Sequence, residues 1–178
     1  MHLTELVHVF ENVLSAEECN SIVAAVEERN HLLRLHNTPL YTFYQMDLLQ
    51  TDLSPIAHRF AGVVSKYANQ YFKFFGLDQF VGVQGFEDVR VKKYLKNSDF
   101  EFGEHIDVID KASSVRYLTF ILYLNDNDGN TTFDSLGLSF KPKQGSMLVF
   151  PPMWMFPHAG KTPTDHDKYI MMTSLHYT

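Results

Sequence analysis

The hydrophobic pattern of the chain changes its period once, near Gly76, and this change constrains the fold more than any other feature. Before it, two segments repeat apolar residues at helical spacing, and after it apolar and polar residues alternate. The first helix is predicted to begin at Ser15, which forms a capping box with Glu18. The second is predicted to be capped by Ser54, to carry Pro55 in its first turn and to end at Gly76. The chain therefore combines amphipathic helices with a sheet that they can cover.

Short strands are predicted at residues 6–10 and throughout the second half of the chain. The latter cover residues 81–95, 100–107, 115–124, 138–141, 146–150 and 168–177. Residues 31–52 are irregular and are placed only as strand and loop. Two helices followed by many short strands are typical of a helix-backed β-sandwich or jelly roll. A chain of 178 residues that is 45% hydrophobic predicts one domain over residues 1–178, helix-rich over 1–80 and a jelly-roll core over 81–178.

Charge and cysteine content exclude several classes of protein. The formal charge is −6 and the basic residues are dispersed, which argues against a nucleic-acid binder or a protein of anionic membrane surfaces. No apolar run approaches the ~20 residues of a membrane-spanning helix, and the N-terminus lacks the pattern of a secretory signal. Cys19 is the only cysteine, so neither an intramolecular disulfide nor a cysteine-based zinc site can form. A reducing, cytoplasmic location is expected.

The segment "EFGEHIDVID" places an imidazole and a carboxylate two residues apart in a predicted strand. Residues i and i+2 of a strand face the same side of the sheet, so His105 and Asp107 could share one metal ion. A His-x-Asp pair also occurs by chance, in which case both side chains would simply be solvated on the surface. The pair needs a further ligand before it indicates a metal site.

A second histidine, in "FPPMWMFPHAGKTP", supplies that ligand. His158 follows a predicted strand, whereas His166 lies in a polar turn and His176 lies at the C-terminus, so His158 is ranked first. Two histidines and one carboxylate form the facial triad of non-haem Fe(II) oxygenases, which leaves three positions open on the metal.

A lysine at the start of the last predicted strand is the next candidate. Lys168 opens "KYIMMTSLHY", where its apolar surroundings are unusual for a cation. A partly buried lysine needs an anion, and the far carboxylate of a metal-bound cosubstrate would serve. The alternative is an ordinary surface lysine at a strand end. Lys161 lies nearer to His158 but in a predicted turn.

These segments, in this order, resemble the iron and 2-oxoglutarate-dependent dioxygenases, specifically the prolyl 4-hydroxylase-like branch. The resemblance covers most of the chain. It is carried by "VFENVLSAEECNSIVAAVEE", "EHID", "RYLTFILYLND", "GNTTF", "KPKQGSMLVFP" and "PHAGKTPTDHDKYIM". It implies an α+β fold in which a double-stranded β-helix, a cupin-like jelly roll, carries the N-terminal helices on one sheet.

The resemblance also implies roles for individual residues. His105, Asp107 and His158 would bind Fe(II), and Lys168 would pair with the distal carboxylate of 2-oxoglutarate. Tyr94 resembles a tyrosine that reaches the same carboxylate, although a packed strand tyrosine is an equally good interpretation. The implied reaction uses O₂ to hydroxylate a C–H bond and converts 2-oxoglutarate to succinate and CO₂, with ascorbate as a possible reductant.

The chain departs from the family pattern at two places. The family often has Tyr-x-x-Gly-x-x-Tyr-x-x-His, whereas "YLKNSDFEFGEH" is longer by two and has Phe102 three residues before His105. This departure bears on the role of Tyr94. The second glycine of the family's turn is Asn130 here.

The branch implies a prolyl group in a peptide or protein as substrate, but small-molecule substrates stay open. Candidate substrate walls are "NHLLRLHNTPLYTFYQMD" and "PPMWMF", with Arg90, Tyr41, Tyr44 and Trp154 as candidate contacts. An apolar shell around the metal is predicted from Leu118, Phe120, Met147, Val149 and Met171.

Two other classes of function stay open at this stage. A zinc hydrolase can also use two histidines and a carboxylate, but it would need a general base at the metal and would give Lys168 no task. A non-catalytic jelly-roll module could keep a vestigial metal site. The identity of the bound metal distinguishes a zinc hydrolase from the dioxygenase. Turnover of 2-oxoglutarate distinguishes a non-catalytic module from the dioxygenase.

Overall fold

The computed structural model describes residues 2–178 and consists of two helices and two antiparallel sheets. The helices are α1 (Ala16–Glu28) and α2 (Ser54–Phe74). The strands are β1 (His8–Phe10), β2 (Arg34–Asn37), β3 (Thr42–Asp47), β4 (Gly85–Phe86), β5 (Arg90–Tyr94), β6 (Phe102–His105), β7 (Arg116–Tyr123), β8 (Thr131–Phe133), β9 (Leu138–Phe140), β10 (Met147–Phe150), β11 (His158–Gly160) and β12 (Lys168–His176). No helix in this part of the chain combines the length and apolarity needed to cross a membrane.

Both helices begin and end through local hydrogen bonds. Ser15 and Glu18 form the predicted capping box at the start of α1, which confirms that prediction. The predicted cap of α2 is wrong by one residue, because Ser54 is already helical and Leu53 occupies the N-cap position. The N–H of Leu53 is instead bound by the Thr51 hydroxyl. At the other end Gly76 adopts φ +66°, the left-handed conformation that favours glycine after a helix.

The larger sheet has eight strands in the order β1-β10-β7-β12-β5-β3-β2, with β4 paired to β12. Its central strands β7 and β12 are buried along almost their whole length. The predicted strand 81–95 is interrupted. Of these residues, only β4 and β5 pair with β12. Residues 31–52, which the sequence placed only loosely, form the β2–β3 hairpin at one edge.

The smaller sheet has four strands in the order β6-β11-β8-β9. Two of these, β8 and β11, were not predicted; each has only three residues, although β9, of the same length, falls within the predicted strand 138–141. The two sheets enclose an aromatic-rich core with Phe43, Tyr123, Phe133 and Phe150 among its members. The architecture is the double-stranded β-helix, or jelly roll.

The helices cover the outer face of the larger sheet. Apolar residues of α1 and α2, such as Val26 and Phe60, pack there against Phe120, Met147 and Met171. Truncation of a buried aromatic such as Phe60 to alanine would cost about 3–5 kcal/mol of stability. The opposite face of the larger sheet is turned toward the smaller sheet. The predicted site residues line a cavity between the two sheets.

Candidate functional site

Three ligand-type side chains from two neighbouring strands converge at one end of the cavity between the sheets. His158, the first residue of β11, is paired directly with His105, the last residue of β6. Asp107 follows β6 by two residues, and its Oδ1 lies 3.4 Å from Nε2 of His105 and 3.8 Å from Nε2 of His158. One ligand atom from each residue lies within 4.8 Å of the other two, and this is the only such group in residues 2–178.

Backbone carbonyls fix which nitrogen each histidine presents. Nδ1 of His105 lies 2.8 Å from the carbonyl oxygen of Gly103, and Nδ1 of His158 lies 3.1 Å from that of Phe156. A carbonyl oxygen can only accept a hydrogen bond, so each Nδ1 carries the proton and each Nε2 offers a lone pair. Burial also lowers the pKa of His158 to about 4, which keeps it a neutral ligand near pH 7.

The carboxylate of Asp107 is held in place by residues of β7. Thr119 donates a hydrogen bond from Oγ1 to Oδ2 of Asp107 (3.1 Å), and Arg116 donates one from Nη1 to the Asp107 backbone carbonyl (2.7 Å). Burial alone would raise the pKa of Asp107, but the polar and cationic groups beside the carboxylate, His105, His158 and Lys92, outweigh burial. The pKa of Asp107 is therefore held below its usual range. A carboxylate oxygen and two imidazole nitrogens thus face one point.

His105, Asp107 and His158 also line a pocket between the sheets. A buried lysine lines the same pocket. Lys168 is 1% exposed and donates one hydrogen bond from Nζ to the carbonyl oxygen of Gly129 (2.7 Å). It forms no ion pair within residues 2–178, and burial lowers its pKa to about 7. The paired residue on β5 is Tyr94, which is 2% exposed and whose ring centroid lies 5.1 Å from Nζ.

Two glycines shape this pocket. A Cβ at Gly129 would lie 2.7 Å from the carbonyl oxygen of Lys161, so only glycine allows the turn whose carbonyl holds Lys168. A Cβ at Gly160 would lie 3.7 Å from Nζ of Lys168 and 4.0 Å from Oη of Tyr94. That carbon would project into the space between the cation, the hydroxyl and the three ligand residues. The pocket fits a small dianion that reaches from the metal to the lysine.

The site therefore suits a bound Fe(II) ion and 2-oxoglutarate. Two neutral imidazoles and one carboxylate on one side of a point leave three further positions facing the cavity. Lys168, which forms no ion pair within the described residues, would hold the far carboxylate of an α-keto acid bound at the metal. The structure brings the five predicted site residues together around one pocket: His105, Asp107, His158, Lys168 and Tyr94.

The other predicted histidines and lysine lie elsewhere. The side chain of His166 is 75% exposed and lies beside Asp165, and His176 bonds to the backbone of Tyr177. Lys161 is exposed, as expected for a turn residue.

A cleft of about 520 Å³ leads from the ligand residues to the protein surface. The predicted wall residues Tyr41 and Arg90 line it. Tyr44 instead packs against Phe100 on the other side of β3, and Trp154 is 74% exposed and does not line the cleft. The segment "PPMWMF" contributes no residue to this cleft, so that predicted wall is wrong.

The predicted apolar shell is also wrong. Leu118, Phe120, Met147, Val149 and Met171 all belong to the core beneath the helices. The residues that line the site alternate with them along the same strands and include Ile121, Ile170 and Met172. Both faces of these strands are buried and both alternate sets are largely apolar, so the sequence does not reveal which set faces which side.

Sequence reasoning missed three residues at the site. Thr119 on β7 holds Asp107, Phe102 stacks on His105 with ring centroids 3.5 Å apart, and Lys92 lies at the border of the pocket and the cleft. A period-two count from Tyr94 back to Lys92 would have placed both on the same face of β5. Thr119 and Phe102 depend on contacts between strands that no local pattern encodes.

A jelly roll with two histidines and a carboxylate at one end of its barrel defines a class of non-haem iron oxygenases. The sequence model of the 2OG-Fe(II) oxygenase superfamily matches residues 89–176, which contain Tyr94, the three ligand residues and Lys168. An inferred prolyl 4-hydroxylase of Acanthamoeba polyphaga mimivirus is 36% identical over 104 residues, covering 47% of this chain and 42% of the viral protein. Residues 89–176 therefore carry the sequence pattern of this superfamily, and the chain is similar to its prolyl 4-hydroxylase-like branch.

Solved structures share the fold at low sequence identity. A viral collagen prolyl hydroxylase from Paramecium bursaria Chlorella virus-1, in complex with 2-oxoglutarate, is 20% identical with a TM-score of 0.73 and coverage of 97% of both chains. A Pseudomonas putida prolyl-4-hydroxylase is 16% identical with a TM-score of 0.68, covering 97% of this chain and 93% of that one. A Trichoplax adhaerens prolyl hydroxylase bound to a hypoxia-inducible factor peptide fragment is 14% identical with a TM-score of 0.74, covering 97% and 84%. The match to the mimivirus protein spans less than half of that relative.

Proposed function

We propose that this protein is an Fe(II)- and 2-oxoglutarate-dependent dioxygenase that hydroxylates a prolyl residue of a peptide or protein. The observation that carries this proposal is that one pocket is lined both by a facial triad and by a buried lysine that forms no ion pair within residues 2–178. The names of the similar proteins support a prolyl substrate, and one of them was solved with a peptide bound.

The residues divide the work between metal and cosubstrate. His105, Asp107 and His158 would hold Fe(II), and Lys168 would hold the far carboxylate of 2-oxoglutarate. When both are bound, they would supply the chemistry that activates O₂: one oxygen atom would enter the substrate as hydroxyl, and the other would enter succinate as 2-oxoglutarate loses CO₂. Lys168 would fix the direction from which the keto acid reaches the metal, and Thr119 would keep Asp107 from rotating.

The surroundings of the ligands restrict where oxidation can occur. Ile121, Ile170 and Met172 line the pocket with apolar surface, which excludes water from the reacting groups. The only wide approach described for these residues is the cleft of about 520 Å³. The β2–β3 hairpin lines one side of this cleft. The reducing, cytoplasmic location expected from Cys19 stays part of this proposal.

The first test is an anaerobic titration of the metal-free protein with Fe(II) and then 2-oxoglutarate. A chelated keto acid should produce a visible charge-transfer band, and His158→Ala should abolish it. His166→Ala is the matched control, because that side chain is exposed and distant from the triad. Iron binding without the band would contradict the oxygenase proposal, and preferential zinc binding with hydrolytic activity would support the zinc hydrolase instead.

A further inference from the structure

A second lysine is buried beside the triad, and the roles assigned so far do not use it. Lys92 is 5% exposed and lies two residues before Tyr94 on β5, so both side chains face the cavity between the sheets. It lines the cosubstrate pocket and also the outer cleft. It therefore occupies the border at which a substrate entering through the cleft would meet the bound cosubstrate.

Within residues 2–178, the ammonium of Lys92 forms no hydrogen bond or ion pair with a carboxylate, and the charge of Asp107 acts on it only from a longer distance. Nζ of Lys92 lies 4.2 Å from the ring centroid of Phe43 and 4.7 Å from that of Phe102, so aromatic faces enclose the charge. Neighbouring basic residues of the same strand are paired, since Lys93 bonds to Glu27 and Arg90 to Glu87. Burial, together with the nearby charges of Arg90 and Arg116, lowers the pKa of Lys92 to about 7, although the charge of Asp107 opposes this shift.

We next count the charges of the site with Fe(II) and 2-oxoglutarate bound. In this count, Lys92 is the cation that has no carboxylate to balance its charge. The two charges of Fe(II) are balanced by Asp107 and by the carboxylate at the keto end of 2-oxoglutarate. The charge of Lys168 is balanced by the distal carboxylate. Loading the site therefore supplies no anion for Lys92, and a buried cation without a counter-ion favours binding of a further anionic group.

The cleft beyond Lys92 continues with the same sign of charge. Arg90 lies two residues before Lys92, on the same face of β5. Arg90 and Arg116 both line the cleft, and both form an ion pair with Glu87. Two guanidinium groups against one carboxylate leave this wall cationic. Glu104 is the other acidic residue of the cleft besides Glu87 and Asp107, and it is exposed.

We propose that Lys92 is a specificity-determining residue that binds a carboxylate of the substrate, so that the preferred substrate is an acidic peptide. The carboxylate belongs to an Asp or Glu side chain near the hydroxylated residue or to the C-terminus of the peptide. This inference rests on the proposed function, because it takes the cleft as the substrate site.

The test measures peptide binding to the anaerobic Fe(II)/2-oxoglutarate complex by fluorescence anisotropy. The probes are labelled seven-residue peptides with one central proline, carrying Asp or Asn at each other position in turn, each as C-terminal acid and C-terminal amide. We expect at least one acidic peptide to bind about 10-fold or more tightly than its neutral partner, as is usual for a charged hydrogen bond. The position of the effective charge distinguishes a side-chain carboxylate from a terminal one.

Lys92→Met should reduce this ratio to about one and leave the affinity for the neutral peptide nearly unchanged. Methionine is straight-chained and fits between the two aromatic rings, and an intact charge-transfer band shows that the variant is folded and loaded. Lys92→Arg should retain a preference for acidic peptides, and Lys66→Met, at an exposed position of α2, should leave the ratio unchanged.

Three results would overturn the inference. The first is a wild-type protein that prefers no acidic peptide over its neutral partner. The second is a preference for the acidic peptide that persists in Lys92→Met. The third is loss of the charge-transfer band in Lys92→Met, which would show that Lys92 binds the cosubstrate. Absence of the band in the wild type is a separate failure, since it removes the proposed function itself.

Discussion

His105 and His158 are directly paired residues of the antiparallel strands β6 and β11, and their ring centroids lie 4.2 Å apart. The backbone pairing thus brings two distant parts of the sequence to one point. Each ring is oriented by a carbonyl two residues before it, that of Gly103 or Phe156. Two copies of the same local arrangement therefore aim two Nε2 atoms at the space beside Asp107.

Replacement of Lys168 by methionine should weaken 2-oxoglutarate binding and spare iron binding. Loss of a charged hydrogen bond corresponds to an increase of about 10- to 100-fold in the concentration of 2-oxoglutarate required. Titration of the charge-transfer band measures this directly, and Fe(II) affinity is measured separately. Lys161→Met is the control, because Lys161 is exposed. An unchanged 2-oxoglutarate requirement would remove Lys168 from the site.

Gly160→Ala should block the cosubstrate without destabilising the fold. The added methyl carbon would lie 3.7 Å from Nζ of Lys168, an ordinary contact, but it would occupy the space proposed for 2-oxoglutarate. We expect the 2-oxoglutarate requirement to rise at least about 10-fold, while the midpoint of urea unfolding of the metal-free protein shifts little.

Gly62→Ala is a matched control for that substitution. Gly62 lies in α2 with no heavy atom within 4 Å of an added Cβ, so alanine should stabilise the helix by about 0.5–1 kcal/mol and leave cosubstrate binding unchanged. Normal 2-oxoglutarate binding by Gly160→Ala would show that the ligand lies elsewhere.

Thr119→Val should lower iron affinity by about 10- to 100-fold, the usual effect of removing a hydrogen bond to a metal ligand. The change keeps the size of the side chain and removes the hydroxyl, which bonds to Oδ2 of Asp107 and also to Oγ of Ser174. Competition with a fluorescent chelator measures the affinity. Thr132→Val is the control, because Oγ1 of Thr132 is buried without a hydrogen-bond partner and its loss should cost nothing. Equal iron affinity in both variants would contradict the positioning role of Thr119.

The stability of the metal-free protein should rise as the pH increases from about 7 toward 10.5. Burial lowers the pKa of Lys168 from 10.5 to about 7, so in this range the unfolded chain binds a proton that the folded chain does not. Under that condition the free energy of unfolding increases with pH, by at most about 1.4 kcal/mol per pH unit for one lysine.

The measurement is urea unfolding between pH 7 and 9.5, compared for the wild type and Lys168→Met. In Lys168→Met, the free energy of unfolding should rise less steeply with pH than in the wild type. In Lys161→Met, it should rise as steeply as in the wild type. Saturating Fe(II) and 2-oxoglutarate, added without oxygen, should flatten the wild-type slope, because the distal carboxylate gives Lys168 a counter-ion. Identical slopes in the wild type and Lys168→Met would mean that Lys168 keeps an ordinary pKa.

The sequence by itself determined the features that depend on short-range geometry. The capping box of Ser15 and Glu18 and the stop at Gly76 are set by hydrogen bonds between residues a few positions apart. The shared direction of His105 and Asp107 follows from spacing along one segment. The assignment of His158 and Lys168 came from the order of motifs that the chain shares with the family it resembles.

The tertiary structure alone decided what lies opposite these residues. Alternation divides β7 into two sets of side chains, but both sets are buried, so only the positions of the helices show that Ile121, and not Phe120, faces the site. The burial of Lys92 between Phe43 and Phe102 likewise depends on strands that meet only in the folded sheets. Pairing between strands joins residues far apart in the chain, and no local pattern of hydrophobicity or hydrogen bonding encodes such contacts.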